Sequence, residues 1–236
     1  RLRLGGVLWY QGESNVPRAA RHAAALRRLV RAWRGHWQQP ALPFLQVQLA
    51  SYLPLAHNSL AGSAWAELRE AQAQAARLPG TGLVVATDLG DAHDIHPRNK
   101  QAVGERLARL ALRQVFGRPV VASGPVLQRL QFQHGQARLR FDTAGGALGL
   151  RPGSGGQLQG FTLAGADRRF LPAQARIVGR RSVVLVAPGV PQPVAVRHAW
   201  VDNAGEANLV NAAGLPAAPW RSDRWPGLTE GAGFRP

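Results

Sequence analysis

Cysteine and methionine are both absent from this 236-residue sequence. The lack of cysteine excludes disulfide bonds, thiolate metal sites and a cysteine nucleophile. No apolar run reaches the length of about 18 residues that a membrane-spanning helix needs, so no membrane span is predicted. Because a complete translated chain begins with methionine, and the first residues do not resemble a signal peptide, we expect a fragment or a processed product.

Acidic residues are scarce: 13 Asp and Glu stand against 29 Lys and Arg, which gives a formal net charge of +16. Lys100 is the only lysine, and the arginines are spread from Arg1 to Arg235 rather than gathered in one stripe. Such a charge attracts polyanions without selectivity. Arginine together with abundant Ala, Gly and Pro also fits a biased genome composition. We favour this second explanation and predict no nucleic-acid partner, since no zinc-finger or RNP-type signature is evident.

The first half of the sequence alternates short apolar runs with longer amphipathic patterns. Buried strands are predicted at residues 6–10, 43–49 and 83–87, and helices at residues 18–37, 64–78 and 97–116. Pro97 would stand at the first helical position, where no N–H is needed. This alternation predicts a parallel sheet covered by helices, so we expect residues 1–117 to form an α/β domain.

The pattern changes after residue 117. Short alternating runs follow, for example at residues 137–141 and 182–186, and glycine-rich turns separate them. Short strands with such turns are typical of an antiparallel sandwich. We therefore predict a β-sandwich-like domain over residues 118–220 and an extended tail over residues 221–236.

Two polar clusters follow predicted strands of the first half, at residues 11–15 and at residues 88–96. In open α/β sheets, ligands bind beyond the carboxyl ends of the strands. The second cluster holds three of the 13 acidic residues and two of the seven histidines within nine positions. In a chain so poor in carboxylates, this concentration indicates a functional loop.

His96 is the strongest catalytic candidate in that loop. Asp94 can share its face in an extended stretch, and a carboxylate that fixes the imidazole tautomer makes the other ring nitrogen a general base. The spacing is equally compatible with a histidine that only caps the following helix. A zinc or manganese site of Asp91, His93, Asp94 and His96 is a further alternative. Since all four ligands would come from one short loop, we predict no metal.

A serine nucleophile is not evident. The sequence contains no G-x-S-x-G elbow, and the nearest stretch, around Ser14, has Val16 in place of the last glycine. We interpret Ser14 as a residue that caps or braces the turn into the next helix. The residues therefore offer a base and an orienting carboxylate without an attacking hydroxyl.

Two long blocks resemble the sialate O-acetylesterase family, which belongs to the SGNH/GDSL-type carbohydrate esterases. They are GVLWYQGESN at residues 6–15, and DLGD with DIHPRNK at residues 88–91 and 94–100. Shorter matches are QVQL at residues 46–49, LREAQ at residues 68–72 and GLPA at residues 214–217. The resemblance covers the whole chain, more loosely after residue 120. It implies an SGNH-hydrolase-like fold whose N-terminal part is missing.

The resemblance also implies a chemistry: a serine nucleophile, with no metal and no cofactor, hydrolyses O-acetyl esters of sugars. It gives His96 the role of base. It places Gln11 where related enzymes have a side-chain amide of the oxyanion hole, which stabilises the developing negative charge. Glu13 belongs to the same block, on the oxyanion or substrate side.

The third catalytic residue and the nucleophile are less well defined by the resemblance. The orienting aspartate usual three residues before the histidine is replaced by His93. Asp94 is our choice for this role and Asp91 is the alternative. The family's nucleophile lies in a Gly-Gln-Ser-Asn segment, which would precede Arg1.

We therefore expect the C-terminal portion of a carbohydrate O-acetylesterase, inactive by itself, whose substrates are acetylated sialic acids or acetylated plant polysaccharides. The family acts mainly on periplasmic or extracellular glycans, which implies the same location here. Two other classes remain as alternatives: a non-catalytic carbohydrate-binding or scaffold fragment, and a polyanion-binding basic protein.

Overall fold

A three-stranded parallel sheet organises the first half of the chain. The computed structural model describes residues 3–232. The three strands are β1 (Val7–Trp9), β2 (Phe44–Val47) and β3 (Thr81–Val84), in the order β1-β2-β3. Phe44 pairs with Val7 on one side and with Thr81 on the other, so the strands begin level with one another.

Helices cover both faces of this sheet. They are α1 (Ala19–His36), α2 (Ala64–Ala75) and α3 (Lys100–Gln114). Successive residues of a strand point to opposite faces, and β2 shows the consequence. Phe44 packs in a cluster with Leu26 of α1 and Ala75 of α2, whereas Leu45 packs in a cluster with Val103 of α3. Thus α1 and α2 cover one face and α3 covers the other.

Each strand of this sheet is followed by a loop that contains a short 3-10 helix. These short helices are Glu13–Arg18, Leu55–His57 and Thr87–Leu89. Because the strands are parallel, all three loops leave the same edge of the sheet.

The third strand lies earlier than predicted. It begins at Thr81 and ends at Val84, whereas the apolar pattern indicated residues 83–87. The backbone N–H of Gln48 donates a hydrogen bond to the Val84 carbonyl (2.9 Å), and β2 and β3 do not pair beyond this point. Thr87 then opens a 3-10 turn rather than continuing the strand.

The third helix begins later than predicted. Its first residue is Lys100, and Pro97 lies in the loop before it, so the prediction that Pro97 occupies the first helical position is wrong. The side chain of Asn99 accepts a hydrogen bond from the Ala102 N–H (3.2 Å) and so caps the helix at that point.

Ten strands form the second half. They are β4 (Val126–Gln133), β5 (Gln136–Asp142), β6 (Leu148–Leu150), β7 (Phe161–Ala164), β8 (Phe170–Pro172), β9 (Gln174–Val178), β10 (Ser182–Val186), β11 (Ala195–His198), β12 (Leu209–Asn211) and β13 (Trp220–Arg221). Two antiparallel four-stranded sheets have the orders β4-β5-β10-β9 and β13-β11-β7-β8, and β12 pairs with β6.

A common core joins these two sheets. Phe141 and Leu185 from one sheet pack in the same buried cluster as Leu163 and Val196 from the other. The predicted fold class is confirmed: a parallel sheet with flanking helices is followed by an all-β, sandwich-like region. The proposed domain limits at residues 117 and 220 remain a prediction.

Specific hydrogen bonds connect the two halves. Glu67 of α2 accepts from the backbone N–H of Thr229 (3.0 Å) and from its hydroxyl (2.6 Å). Glu70 of α2 forms an ion pair with Arg221 (3.1 Å). Residues 221–232 therefore return to the α/β half. Within residues 3–232, no helix combines the length and apolarity needed to cross a bilayer.

Candidate active site

The loops after β1 and β3 meet at the carboxyl end of the sheet. Tyr10 from the first loop and Ile95 from the second both pack against one buried cluster, which consists of Ala19, Leu49, Trp65 and Leu68. The Lys100 ammonium nitrogen also lies 4.9 Å from the centroid of the Tyr10 ring. Gln11 and His96, the neighbours of Tyr10 and Ile95, therefore belong to two loops that share one support.

His96 presents its ring to solvent, with 86% of the side chain exposed. Its backbone N–H donates to Oδ1 of Asp94 (2.8 Å), and the same oxygen is 3.9 Å from Nδ1 of the ring. The ring distance is within ion-pair range but too long for a hydrogen bond. Asp94 therefore fixes the backbone of His96 and lies near the ring without orienting it directly.

Asp91 forms the same kind of turn one step earlier in the loop. Its Oδ1 accepts from the backbone N–H of His93 (2.8 Å). Asp88 has a different partner: its two carboxylate oxygens bind the guanidinium of Arg106 at 2.6 and 2.7 Å, and its side chain is only 7% exposed. Within residues 3–232, no three His, Asp or Glu side chains are arranged to hold a metal ion.

The loop after β1 is ordered by its own side chains. The side-chain amide of Gln11 donates to Oδ1 of Asn15 (2.9 Å), and Glu13 accepts from the backbone N–H of Gly12 (3.0 Å). A Cβ atom on Gly12 would lie 3.0 Å from Cδ2 of Leu68, so the backbone approaches α2 closely here. The side-chain amide of Gln11 thus lies near the surface of the loop, while the adjacent backbone at Gly12 is packed tightly against α2.

Ser14 was predicted to cap or brace the turn into the next helix, and of these two roles the capping role is wrong. Ser14 lies within the 3-10 helix, whose N-cap is Gly12, and the N-cap of α1 is Arg18. Neither cap makes a side-chain hydrogen bond. The turn is instead fixed by backbone contacts, among them the Asn15 N–H to the Gly12 carbonyl (2.8 Å).

A buried polar brace on α2 holds the strand ends in place, and sequence reasoning missed it. Gln72, 1% exposed, donates to the carbonyls of Gln11 and Val47 (both 3.3 Å) and accepts from the N–H of Leu49 (2.9 Å). Gln48 in turn donates to the Arg69 carbonyl (3.0 Å). The blocks at residues 46–49 and 68–72 were matched to a family, but nothing in their local pattern predicted this pairing.

Arg69 is the centre of this brace and is fully buried. Its guanidinium donates to the carbonyls of Leu49 (2.9 Å), Ala50, Val201 and Asp202 (each 2.8 Å). Burial lowers the pKa of Arg69 to about 10, so it stays protonated at neutral pH.

Tyr10 lies beside this charge, and its surroundings affect its own ionisation. Burial is the main cause that raises the pKa of the Tyr10 phenol, and the nearby Glu13 raises it further, while Arg69 acts in the opposite direction. The Tyr10 phenol is therefore neutral at physiological pH, and Tyr10 contributes packing to the loop rather than acting as a base.

Comparisons with known proteins point to one family. Residues 1–113 match the family described as carbohydrate esterase, sialic acid-specific acetylesterase. A crystal structure of a novel carbohydrate acetylesterase from Xanthomonas citri superposes with a TM-score of 0.88, at 44% identity over 94% of this chain. Residues 1–113 belong to the sialate O-acetylesterase family. The predicted family is thus confirmed.

Two mammalian relatives match at lower identity. The sialate O-acetylesterase of Mus musculus is 27% identical over 221 residues, and that of Rattus norvegicus is 32% identical over 149 residues. These matches cover 84% and 55% of this chain. The chain spans 40% of the mouse protein, 27% of the rat protein and 51% of the Xanthomonas citri esterase.

Proposed function

We propose that this chain is part of a serine esterase that removes acetyl groups from the hydroxyls of sugars. The observation that carries the proposal is the shared support of Tyr10 and Ile95 at the carboxyl end of the parallel sheet. It brings an amide-bearing loop and a histidine-bearing loop to one edge, where ligands of such sheets bind.

The proposed roles follow the chemistry of acyl transfer. A serine oxygen attacks the acetyl carbon while His96 takes the hydroxyl proton, and the amide of Gln11 donates to the resulting oxyanion. The sugar oxygen leaves with that proton, which produces an acetyl-enzyme. Water then repeats the sequence and acetate departs. Glu13 fixes the Gly12 backbone beside the oxyanion, and Asp94, or alternatively Asp91, orients His96.

We propose that the attacking serine comes from a segment outside these 236 residues. The hydroxyl of Ser51 both donates to the Thr87 carbonyl (2.7 Å) and accepts from the Ala204 N–H (2.9 Å). Ser63 is likewise engaged, with Asp202 (2.6 Å) and the Ala66 N–H (2.9 Å). Both hydroxyls are therefore structural.

The sheet has room for such a segment. Among residues 3–232, β1 pairs only with β2, so its second edge is free to accept another strand. Leu8 on this edge strand is 63% exposed. A further parallel strand at this edge would deliver a serine to the same end of the sheet as Gln11 and His96.

The substrate class rests on the names of relatives. The mammalian relatives are named sialate O-acetylesterases and the Xanthomonas citri enzyme a carbohydrate acetylesterase. These names support an acetylated sugar, for which we propose acetylated sialic acids or acetylated plant polysaccharides. A periplasmic or extracellular location agrees with either class.

The decisive experiment uses the full-length protein, including the segment that precedes these residues. We expect His96→Ala to reduce acetate release from an acetylated sugar by roughly 10³-fold or more, because the proton acceptor is lost. His93→Ala, in the same exposed loop, is the matched control and should retain near-parental kcat.

The 236-residue chain alone should release no acetate, because it would lack the attacking hydroxyl. Near-normal rates for His96→Ala would overturn the assignment of the base. Acetate release by the isolated chain would overturn the external nucleophile. A full-length protein that releases no acetate would instead favour a non-catalytic carbohydrate-binding role.

A further inference from the structure

Two cavities in the β half share four lining residues. The larger, of about 900 Å³, lies between β9 and residues 156–161. The smaller, of about 220 Å³, lies between the sandwich and residues Asn58 and Leu60. Both are lined by Gln159, Gly160, Phe161 and Pro172, so they meet at these residues. We call the two cavities together the sandwich groove.

Four exposed polar side chains line the larger end of the sandwich groove. They are Gln157, Gln159, Gln174 and Arg176. In the part of the chain that the structure describes, none of these four side chains has a hydrogen-bond or ion-pair partner. Each glutamine offers two donors and an acceptor with two lone pairs. Such a set matches the alternating hydroxyl donors and acceptors of a sugar chain.

Apolar surface stands next to these amides. Pro172, Pro188 and Leu158 line the same cavity. Sugars expose C–H faces between their hydroxyls, and apolar walls with a few polar groups are typical of ligand sites of about 300–1,000 Å³.

The wall of the sandwich groove is rigid. Asn208 is fully buried and holds the backbone on both sides of Leu158: it donates to the Gln157 carbonyl (2.7 Å) and accepts from the Gln159 N–H (2.9 Å). A Cβ on Gly160 would lie 2.6 Å from the Cβ of Ala207, so only glycine fits there. Fixed backbone lowers the entropy lost on binding.

The loop after β2 forms part of the wall of the smaller cavity. Asn58 and Leu60 belong to the loop that leaves the carboxyl end of β2, the same sheet edge as Gln11 and His96. Asn58 is tied to Asn203 by two reciprocal hydrogen bonds of 2.8 and 2.9 Å. This loop therefore has a fixed position against the sandwich.

We propose that the sandwich groove binds a glycan chain at a position separate from the acetyl group that is hydrolysed. The site goes beyond the proposed esterase function, because binding there needs neither His96 nor a serine. A polymer that fills both cavities would reach the loop after β2, which leaves the same sheet edge as the loops that carry Gln11 and His96.

Direct binding tests the proposal without any turnover. The full-length protein is titrated calorimetrically, at 150 mM salt, with two non-acetylated probes: xylohexaose, which is neutral, and 3′-sialyllactose, which carries a carboxylate. We expect one of them to bind, and the double variant Gln159→Ala/Gln174→Ala to weaken that binding at least tenfold. The matched control is Gln131→Ala/Gln133→Ala, which removes two glutamines from β4, outside the groove.

The arms of the experiment separate the possible glycans. If Arg176→Gln weakens only the sialylated probe, the ligand is an acidic glycan; if xylohexaose binds and is unaffected by that change, the ligand is neutral. Binding of neither probe, or equal affinity of the double variant and its control, would overturn the proposal. Unchanged thermal unfolding of all variants would show that the groove, and not the fold, was altered.

Discussion

Asp94 makes two contacts with His96. Its Oδ1 accepts from the backbone N–H of His96 and lies 3.9 Å from Nδ1 of the same residue. An approach of about 1 Å would convert the second contact into a hydrogen bond. Catalytic hydrogen bonds are often long in unliganded enzymes and shorten when substrate binds. We therefore retain Asp94 as the proposed orienting residue.

This role predicts a specific effect of Asp94→Asn in the full-length protein. The amide oxygen still accepts from the His96 backbone, so the loop is preserved, but the charge that stabilises the imidazolium is lost. We expect kcat to fall roughly 10²-fold or more while KM changes little. Steady-state kinetics on an acetylated sugar measures both quantities.

Asp91→Asn is the matched control, because Asp91 makes the equivalent backbone contact to His93. It should keep kcat within about twofold of the parent. If Asp91→Asn abolished activity and Asp94→Asn did not, Asp91 would be the orienting residue and our choice would be wrong.

At the residue scale, local spacing predicted part of the site. The i, i+2 relation suggested that Asp94 and His96 share a face, and they do lie near each other. The ion pair of Asp88 with Arg106 joins residues 18 positions apart and belongs to no short motif. The contacts of Gln72 across 61 and 23 positions are equally non-local. Such pairings depend on how the helices dock, which periodicity does not encode.

At the scale of elements, the strand and helix types were predictable and their limits were not. The apolar runs correctly indicated three strands, yet β3 ends at Val84 because its partner strand stops pairing there. The third helix begins where Asn99 can cap it rather than where proline would be tolerated. Ends of elements are decided by partners and caps, which outweigh propensity.

The sheet around β11 contains a buried histidine. His198 is 1% exposed and its ring lies 4.5 Å from that of Phe161 on β7 and 6.2 Å from that of Trp220 on β13. Its Nδ1 is 3.1 Å from the Ala218 carbonyl. Burial lowers the pKa of His198 to about 4, and the hydrogen bond to Ala218 offsets this only in part.

This pKa predicts that acid destabilises the fold. Between pH 6.5 and pH 4 the unfolded chain binds a proton at this histidine and the folded chain does not, so the free energy of unfolding falls as pH decreases. The full effect is about 3 kcal/mol. His22, whose pKa burial also lowers, acts with the same sign.

His198→Phe keeps an aromatic ring between its neighbours and removes the titration. We expect its free energy of unfolding, measured with urea at pH 7 and pH 4.5, to fall less with acidification than that of the parent. Parallel curves for the two proteins would show that His198 does not carry the effect.

At the scale of the whole molecule, arginine connects the two halves. The sequence suggested that the many arginines reflect a biased genome composition. Several are instead structural: Arg221 pairs with Glu70 of α2, and Arg197 pairs with Asp223, whose side chain is 1% exposed. The architecture of each half followed from its pattern, but these connections did not, since each joins residues more than 20 positions apart.

Arg69 provides the strongest test of this connection. Its guanidinium donates to two carbonyls of the loop after β2 and to those of Val201 and Asp202 in the β half. Arg69→Met retains the apolar stem but leaves four carbonyls without this donor. Since buried groups left unpaired cost about 1–3 kcal/mol each, and water restores some of them, we expect a loss of roughly 3–5 kcal/mol in the free energy of unfolding.

The exposed Arg77, just beyond α2, is the matched control, and Arg77→Met should change stability by less than about 0.5 kcal/mol. If Arg69 only filled space, Arg69→Met would change the free energy of unfolding as little as Arg77→Met does. If Arg69 links the halves, its loss should also separate their unfolding, so that tryptophan fluorescence and far-UV circular dichroism no longer report one coincident transition. A single transition with parental midpoint for Arg69→Met would contradict the link, because the loss of a fully buried guanidinium that donates to carbonyls of both halves should weaken the contact between them.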